Sequence, residues 1–244
     1  MKRGAEAFGL DSDRLVPLGG NSGSSWGTGD RVLRVGQRVD EEIRAVCAAA
    51  GVLPVPRVLD RVDFEGFTAA LVERLPGQPA GEVATARPEL ADAIGDACGA
   101  LHARLSQITA PAALRIIATP EPSSHACLLH LDLHPFNVLV DDAARVTGVI
   151  DWANAAAGEP VLDRARTWSI LMLNPAALAR GSRPGWRALI GAWTRQAALT
   201  NLPAHARAWA CEFMLSDLAR RYPAAALKHV VHALAAARTE SAAA

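Results

Sequence analysis

In the first third of the chain the apolar positions come in short runs separated by turn-forming residues, which is the pattern of β-strands. Leu15–Leu18 reads as a strand entering the loop Gly19-Gly20-Asn21-Ser22-Gly23, too rich in glycine for a regular element. Ser24–Trp26 and Val32–Val35 read as two further strands joined by a hairpin turn at Gly27-Thr28-Gly29-Asp30. From Asp40 to Ala50 the period lengthens. Ile43, Val46, Cys47 and Ala50 share one face of a predicted helix, and Gly51 is placed to cap it. Pro54-Val55-Pro56 forbids helix, after which Val58–Val62 and Phe67–Leu75 read as strands joined by Asp63-Phe64-Glu65-Gly66.

Leu75-Pro76-Gly77-Gln78-Pro79 interrupts this pattern and reads as a hinge. Beyond it the period is mainly helical. Leu90, Ile94, Ala97, Leu101 and Leu105 repeat at helical spacing across residues 88–108. Residues 109–124, with Pro111, Pro120 and Pro122, read as irregular, and two short strands come next at Val138–Val140 and Val146–Ile150. Four helical stretches are expected near 160–175, 184–199, 204–219 and 223–238, with a frayed tail from Ser241. The pattern divides the chain into a strand-rich unit over 1–75 and a mainly helical unit over 76–244.

Composition narrows the class without naming a function. The chain has 244 residues, 25 basic and 25 acidic side chains and 50% hydrophobic residues, an ordinary globular balance. Zero net charge argues against a general nucleic-acid binder, and no apolar run is long enough to span a bilayer. The first residues carry no secretory pattern, so a cytoplasmic protein with no membrane or nucleic-acid partner is expected. Cys47, Cys98, Cys127 and Cys211 show no metal-ligand spacing and read as buried free thiols. Lys2 and Lys228 are the only lysines.

Chemistry concentrates in His130-Leu131-Asp132-Leu133-His134-Pro135-Phe136-Asn137, followed by Val149-Ile150-Asp151-Trp152. Asp132 and Asn137 share a proline-containing loop, and Asp151 ends a strand that can fold back beside Asn137. The oxygens of Asn137 and Asp151, converging this way, suit Mg²⁺, a hard cation that also takes phosphate and water oxygens. Asp132 is then free to accept a proton from an attacking hydroxyl.

This spacing, His-x-Asp-x-x-x-x-Asn and then an Asp beyond a short hairpin, is that of the protein-kinase catalytic loop. In detail it more closely resembles the aminoglycoside phosphotransferase family of small-molecule kinases. Leu18-Gly19-Gly20, Val32-Leu33-Arg34-Val35, Glu73-Arg74-Leu75-Pro76-Gly77 and Gly158-Glu159-Pro160 match that family in order, so the resemblance covers roughly residues 15–170. It implies an α+β, protein-kinase-like fold of two lobes: a small antiparallel sheet with one helix, and a larger helical lobe. It also implies transfer of the ATP γ-phosphoryl group, with GTP as the other nucleotide, to a hydroxyl of an antibiotic-like or metabolite acceptor.

The resemblance carries over to particular residues. Gly19, Gly20, Asn21, Ser22 and Gly23 would cover the nucleotide phosphates with backbone amides. Val32 would lie against adenine, and backbone groups of Glu73, Arg74 and Leu75 would read its edge. The catalytic assignments are Asp132 as base, Arg34 on the phosphates and Glu42 as the helix partner of Arg34, with Glu41 as the alternate. His130 would brace the loop, His134 would pack there or touch substrate, and Asp163 would hydrogen-bond beneath it. The sequence departs from the family at Arg34, where kinases place a lysine, at Leu131, where glycine is common, and at Glu159, which replaces an aspartate.

The acceptor is less constrained. Aminoglycosides are polycations, yet residues 151–244 hold six acids against eleven bases. Glu212 and Asp217, on one predicted helix, are the acids that could face inward. A kinase for a neutral or anionic metabolite and a non-catalytic nucleotide-binding protein are the competing readings.

Overall fold

The structure, a computed structural model, describes residues 1–18, 25–64, 66–117 and 126–243. The chain opens with a one-turn-and-a-half helix, α1 (Lys2–Ala7), that the sequence pattern does not reveal. Strands β1 (Val16–Pro17), β2 (Ser25–Thr28) and β3 (Arg31–Gly36) come next, then helix α2 (Val39–Ala49), β4 (Val58–Phe64) and β5 (Phe67–Glu73). The strands form one antiparallel sheet in the order β1-β2-β3-β5-β4. β4 runs through Asp63 and Phe64, two residues the sequence assigns to the connection.

The predicted face of α2 is rotated. Val39, Ala45, Val46 and Ala49 are buried, whereas Cys47 and Ala50 are exposed. Small alanines turn inward because the helix lies close against the sheet and the second unit. The expectation of four buried thiols fails for the same reason at Cys47. Cys98 and Cys211 are buried, Cys127 is half-buried, and all four are free.

The hinge segment is stitched to the second unit. β6 (Gln78–Pro79) pairs with a later strand, and Thr147 Oγ1 donates to Pro76 O at 2.6 Å. Gly77, at φ +107°, takes a left-handed turn in which a Cβ would lie 2.3 Å from Thr147 Oγ1. Then come α3 (Ala80–Ala86), α4 (Ala91–Leu105), β7 (Cys127–Leu129), β8 (Val138–Val140), β9 (Val146–Val149) and β10 (Ala156–Gly158). Helices α5 (Pro160–Leu173), α6 (Pro175–Leu178), α7 (Pro184–Gln196), α8 (Ala204–Leu218) and α9 (Lys228–Ala243) complete the chain.

β6, β8 and β9 form one small sheet, and β7 pairs with β10 in another. The last helix begins later than its apolar pattern suggests because residues 224–227 form a 3₁₀ turn. It then runs through Ala243, so the described part of the expected frayed tail is helical.

The first unit has its own small core of Ala5, Leu15, Leu33 and Ala69. A larger core fills the second unit around Ile94, Leu101, Leu189 and Trp193, where α4 packs on α7. Ala45, Val46 and Ala49 of α2 join this second core beside Val138, Val149 and Trp152. The helix is therefore shared, which fixes the sheet relative to the catalytic loop. Among the described residues no helix is long and apolar enough to cross a membrane.

Candidate active site

The loop between β7 and β8 carries Asp132, and the residues beneath it fix its shape. Leu131 has φ +60° although it is fully buried, a left-handed conformation that costs a non-glycine residue about 1–2 kcal/mol. Asp163, buried on α5, holds that turn. Its Oδ1 accepts from the backbone N–H groups of both His130 and Leu131 at 2.8 Å. His102 Nδ1 lies 3.1 Å from Asp163 Oδ2, while His102 Nε2 accepts from Trp193 Nε1 at 3.3 Å. Burial pushes the Asp163 carboxyl up, but His102 and the backbone N–H groups outweigh it and hold it below the usual range.

His130 braces the same loop from the other side. Its Nδ1 accepts from Asp132 N at 3.2 Å, which leaves Nε2 to donate to Ile150 O at 3.0 Å. Burial keeps this imidazole neutral by lowering its pKa. His134 is lowered to about 4, again by burial. Its Nδ1 accepts from Phe136 N, and its Nε2 stands 3.9 Å from Asp132 Oδ1.

Asp132, Asn137 and Asp151 converge as their spacing anticipates. Asn137 Nδ2 donates to Asp132 O at 2.9 Å, which orients the amide, and Ile150 N donates to Asn137 O at 2.9 Å. Asp151 also sits in a left-handed conformation, φ +62°, directly after this tie. Its Oδ1 is buried and accepts no hydrogen bond. One carboxylate oxygen free of hydrogen bonds beside one oriented amide is a donor set suited to a hard cation. Among the described residues no cluster of three or more His, Cys, Asp or Glu could hold a metal alone, so a cation here needs oxygens from a phosphate or water. Burial raises the Asp132 carboxyl above its usual range, against the pull of Arg166 and His130.

Arg34 projects from β3 into the same space. Its Nη2 is 2.6 Å from Glu42 Oε2 on α2 and 3.5 Å from Asp151 Oδ1, and its Nη1 donates to Ser25 Oγ. Burial raises the Glu42 carboxyl, partly offset by Arg34. Glu41 instead pairs with Arg38 at 2.7 Å, so Glu42 is the partner of Arg34.

A cleft of about 640 Å³ runs between the sheet and the loop, lined by Val32, Arg34, Glu42, Glu73, Arg74, Leu75, Asp132, Asn137 and Asp151. Of the predicted site residues only Gly19, Gly20, Asn21, Ser22 and Gly23 lie outside the described residues.

A second cavity of about 380 Å³ shares Asp132, His134, Phe136 and Asp151 with the cleft. Here the sequence reading missed residues. Arg166, buried on α5, donates from Nη2 to Asp217 Oδ2 at 3.1 Å and rests 4.6 Å from the Phe213 ring centroid. Arg180 and Trp186 also line this cavity. Nothing in their local sequence marks them, because only the packing of α5, α7 and α8 brings them together. Glu212 does not face the cavity. It pairs with Arg238 at 2.8 Å on the surface.

The fold is kinase-like, Asp132 and Asp151 line both cavities, and Asn137 lines the larger one. Residues 31–119 and 109–210 match the phosphotransferase enzyme family, and the chain belongs to that family. Its architecture is similar to an aminoglycoside-3'-phosphotransferase of type VIII, with 19% identity and TM-score 0.55 over 83% of this chain and 97% of that one. It is similar also to APH(3'')-Id from Streptomyces rimosus, solved in complex with ADP and streptomycin, at 15% identity and TM-score 0.56 over 79% and 88%. For ADP-bound APH(2'')-Ib the figures are 13% identity and TM-score 0.54 over 91% of each chain. At these identities the likeness establishes the fold, and with it the kinase-like architecture expected from the motifs. A stretch of 36 residues is 47% identical to the uncharacterized protein YcbJ of Bacillus subtilis, covering 15% of this chain and 12% of that protein.

Proposed function

We propose that this protein is a small-molecule kinase that transfers the γ-phosphoryl group of ATP, or of GTP, to a hydroxyl. Residues 1–75 form its nucleotide lobe and residues 76–244 carry the catalytic loop and acceptor site. The observation that carries this reading is the position of Asp132 and Asp151 on the shared wall of two cavities. The larger cavity, where Val32, Val58, Val72 and Leu139 lie beside charged groups, would take the nucleotide, and the smaller would take the acceptor.

In this reading Val32 packs against the base. The Glu73 and Arg74 N–H groups already donate to Arg57 O and Asp30 O, at 2.9 and 2.8 Å. Leu75 is thus the next backbone donor for the base edge. Arg34, held by Glu42, contacts the phosphates, and the glycine loop from Gly19 to Gly23 covers them. Asn137 and Asp151 would hold Mg²⁺, which when bound supplies charge neutralisation on the phosphates. The acceptor hydroxyl gives its proton to Asp132 as its oxygen bonds to the γ-phosphorus. The bond from that phosphorus to the β,γ-bridging oxygen breaks, and its electron pair leaves with ADP. The chemistry belongs in the cytoplasm, where ATP and a reducing pool suit four free thiols.

ADP release in the presence of a panel of hydroxyl compounds tests the reading. At least one compound should be phosphorylated, and Asp132→Asn should lower its turnover by about 10²–10⁴-fold. Undiminished turnover in Asp132→Asn would remove Asp132 from the base role.

A further inference from the structure

The charge lining the second cavity selects among acceptors. Apart from Asp132 and Asp151, which serve the transfer, the one acid among its described lining residues is Asp217. Both oxygens of Asp217 are already engaged. Oδ2 accepts from Arg166 at 3.1 Å and Oδ1 accepts from Arg221 at 3.0 Å. An ammonium group entering the cavity would have to displace a guanidinium to reach it, and would meet like charge while doing so.

Arg180 is in the opposite position. It has no acidic partner among the described residues, and its Nη1 donates to the uncharged Ala176 O at 2.6 Å. Its guanidinium lies 5.0 Å from the Phe136 ring centroid and 5.7 Å from that of Trp186, which hold it in place over the cavity wall. Phe136 and Trp186 stack at 5.9 Å, adding an apolar face to the same wall. Three arginines and three aspartates line the cavity, but Asp132 and Asp151 serve the transfer and Asp217 is held by Arg166 and Arg221, so Arg180 is the lining guanidinium with no carboxylate assigned to it.

Building on the kinase reading, we propose that the acceptor is an anionic hydroxyl compound. Its carboxylate or phosphate group sits on Arg180 and Arg221, and its hydroxyl is presented to Asp132. Arg180 is thus a specificity-determining residue. Planar guanidinium forks suit such oxyanions, and Arg180 is held ready for one. The cavity volume of about 380 Å³ limits the acceptor to a small molecule.

The test is Mg-ATP turnover with three matched sets of acceptors. The first is anionic: glycerate, 4-hydroxybutyrate, 4-hydroxyphenylacetate and glycerol phosphate. The second is neutral: glycerol and glucose. The third is cationic: ethanolamine and glucosamine. The inference expects the anionic set to be preferred, with Arg180→Gln lowering kcat/KM for its best member about tenfold and Arg180→Glu about 100-fold, mainly through KM. Mg-ATP affinity should stay within twofold of the parent in both variants, which shows that they remain folded. Carboxylate members succeeding without glycerol phosphate, or the reverse, would identify the anionic group. Preference for the cationic or neutral set, turnover of none, or indifference to Arg180→Glu would overturn the inference. Calorimetry with Mg-ATP separates the two levels. Intact nucleotide binding in those cases leaves the kinase reading standing, and its absence removes that reading too.

Discussion

At the scale of single residues, the site is organised by buried charges that answer one another. Arg34 lies between Glu42 at 2.6 Å and Asp151 at 3.5 Å, with its side chain only 13% exposed. Removing it strands the Glu42 carboxylate as well as a phosphate contact. Arg34→Ala should weaken ATP binding by about 1.5–3 kcal/mol, the scale of a charged hydrogen bond. It should also lower stability more than Arg34→Lys, which keeps a cation beside Glu42. Unchanged ATP affinity in Arg34→Ala, measured by calorimetry, would show that the guanidinium does not serve the nucleotide. His134 gives a pH dependence with a definite sign. Burial lowers it to about 4, so the folded chain holds it neutral while the unfolded chain protonates it near an ordinary value of about 6.5. The stability it contributes is full above about pH 6.5 and declines as the pH falls toward 4. His134→Gln should therefore flatten the fall in the urea midpoint over that interval. An identical fall in the variant would show that His134 is not responsible.

At the scale of elements, the residues beneath the catalytic loop explain both what the sequence reveals and what it conceals. Asp132, Asn137 and Asp151 are legible because the spacing of a loop and a hairpin is local, and the strands at Val138 and Val146 are apolar and β-branched. The pair β7 and β10 is not, since three-residue strands containing Ala156, Ala157 and Gly158 carry no periodicity and exist only by pairing with Leu129, Leu128 and Cys127. The buried face of α2 departs from its apolar pattern for a related reason: close approach to two neighbours favours Ala45 and Ala49 over the larger Ile43 and Cys47. Leu131 shows two effects in competition. Glycine would relieve about 1–2 kcal/mol of left-handed strain, but deleting a fully buried leucine costs about 2–5 kcal/mol. Burial wins, and Leu131→Gly should destabilise the protein by about 1–3 kcal/mol in chemical denaturation. A stabilised variant would mean that the strain exceeds the packing.

At the scale of the whole molecule, the shared helix α2 ties the sheet to the catalytic loop, so the residues of the site are set by the docking of two units. The change of period near Leu75 is legible in the sequence, and the five-stranded sheet lies wholly before it. The arginines of the second cavity are hidden because Arg166, Arg180 and Arg221 are apart in the chain and reach one cavity only once α6 and α8 pack on α5. The central claim is that Asp151 serves the magnesium nucleotide while Asp132 serves the acceptor. Calorimetric titration of Mg-ATP into the parent, Asp132→Asn and Asp151→Asn tests it most directly. The expected result is that Asp132→Asn binds Mg-ATP within about twofold of the parent and that Asp151→Asn loses at least about tenfold, the scale of one charged contact. Equal affinity in all three proteins would contradict it.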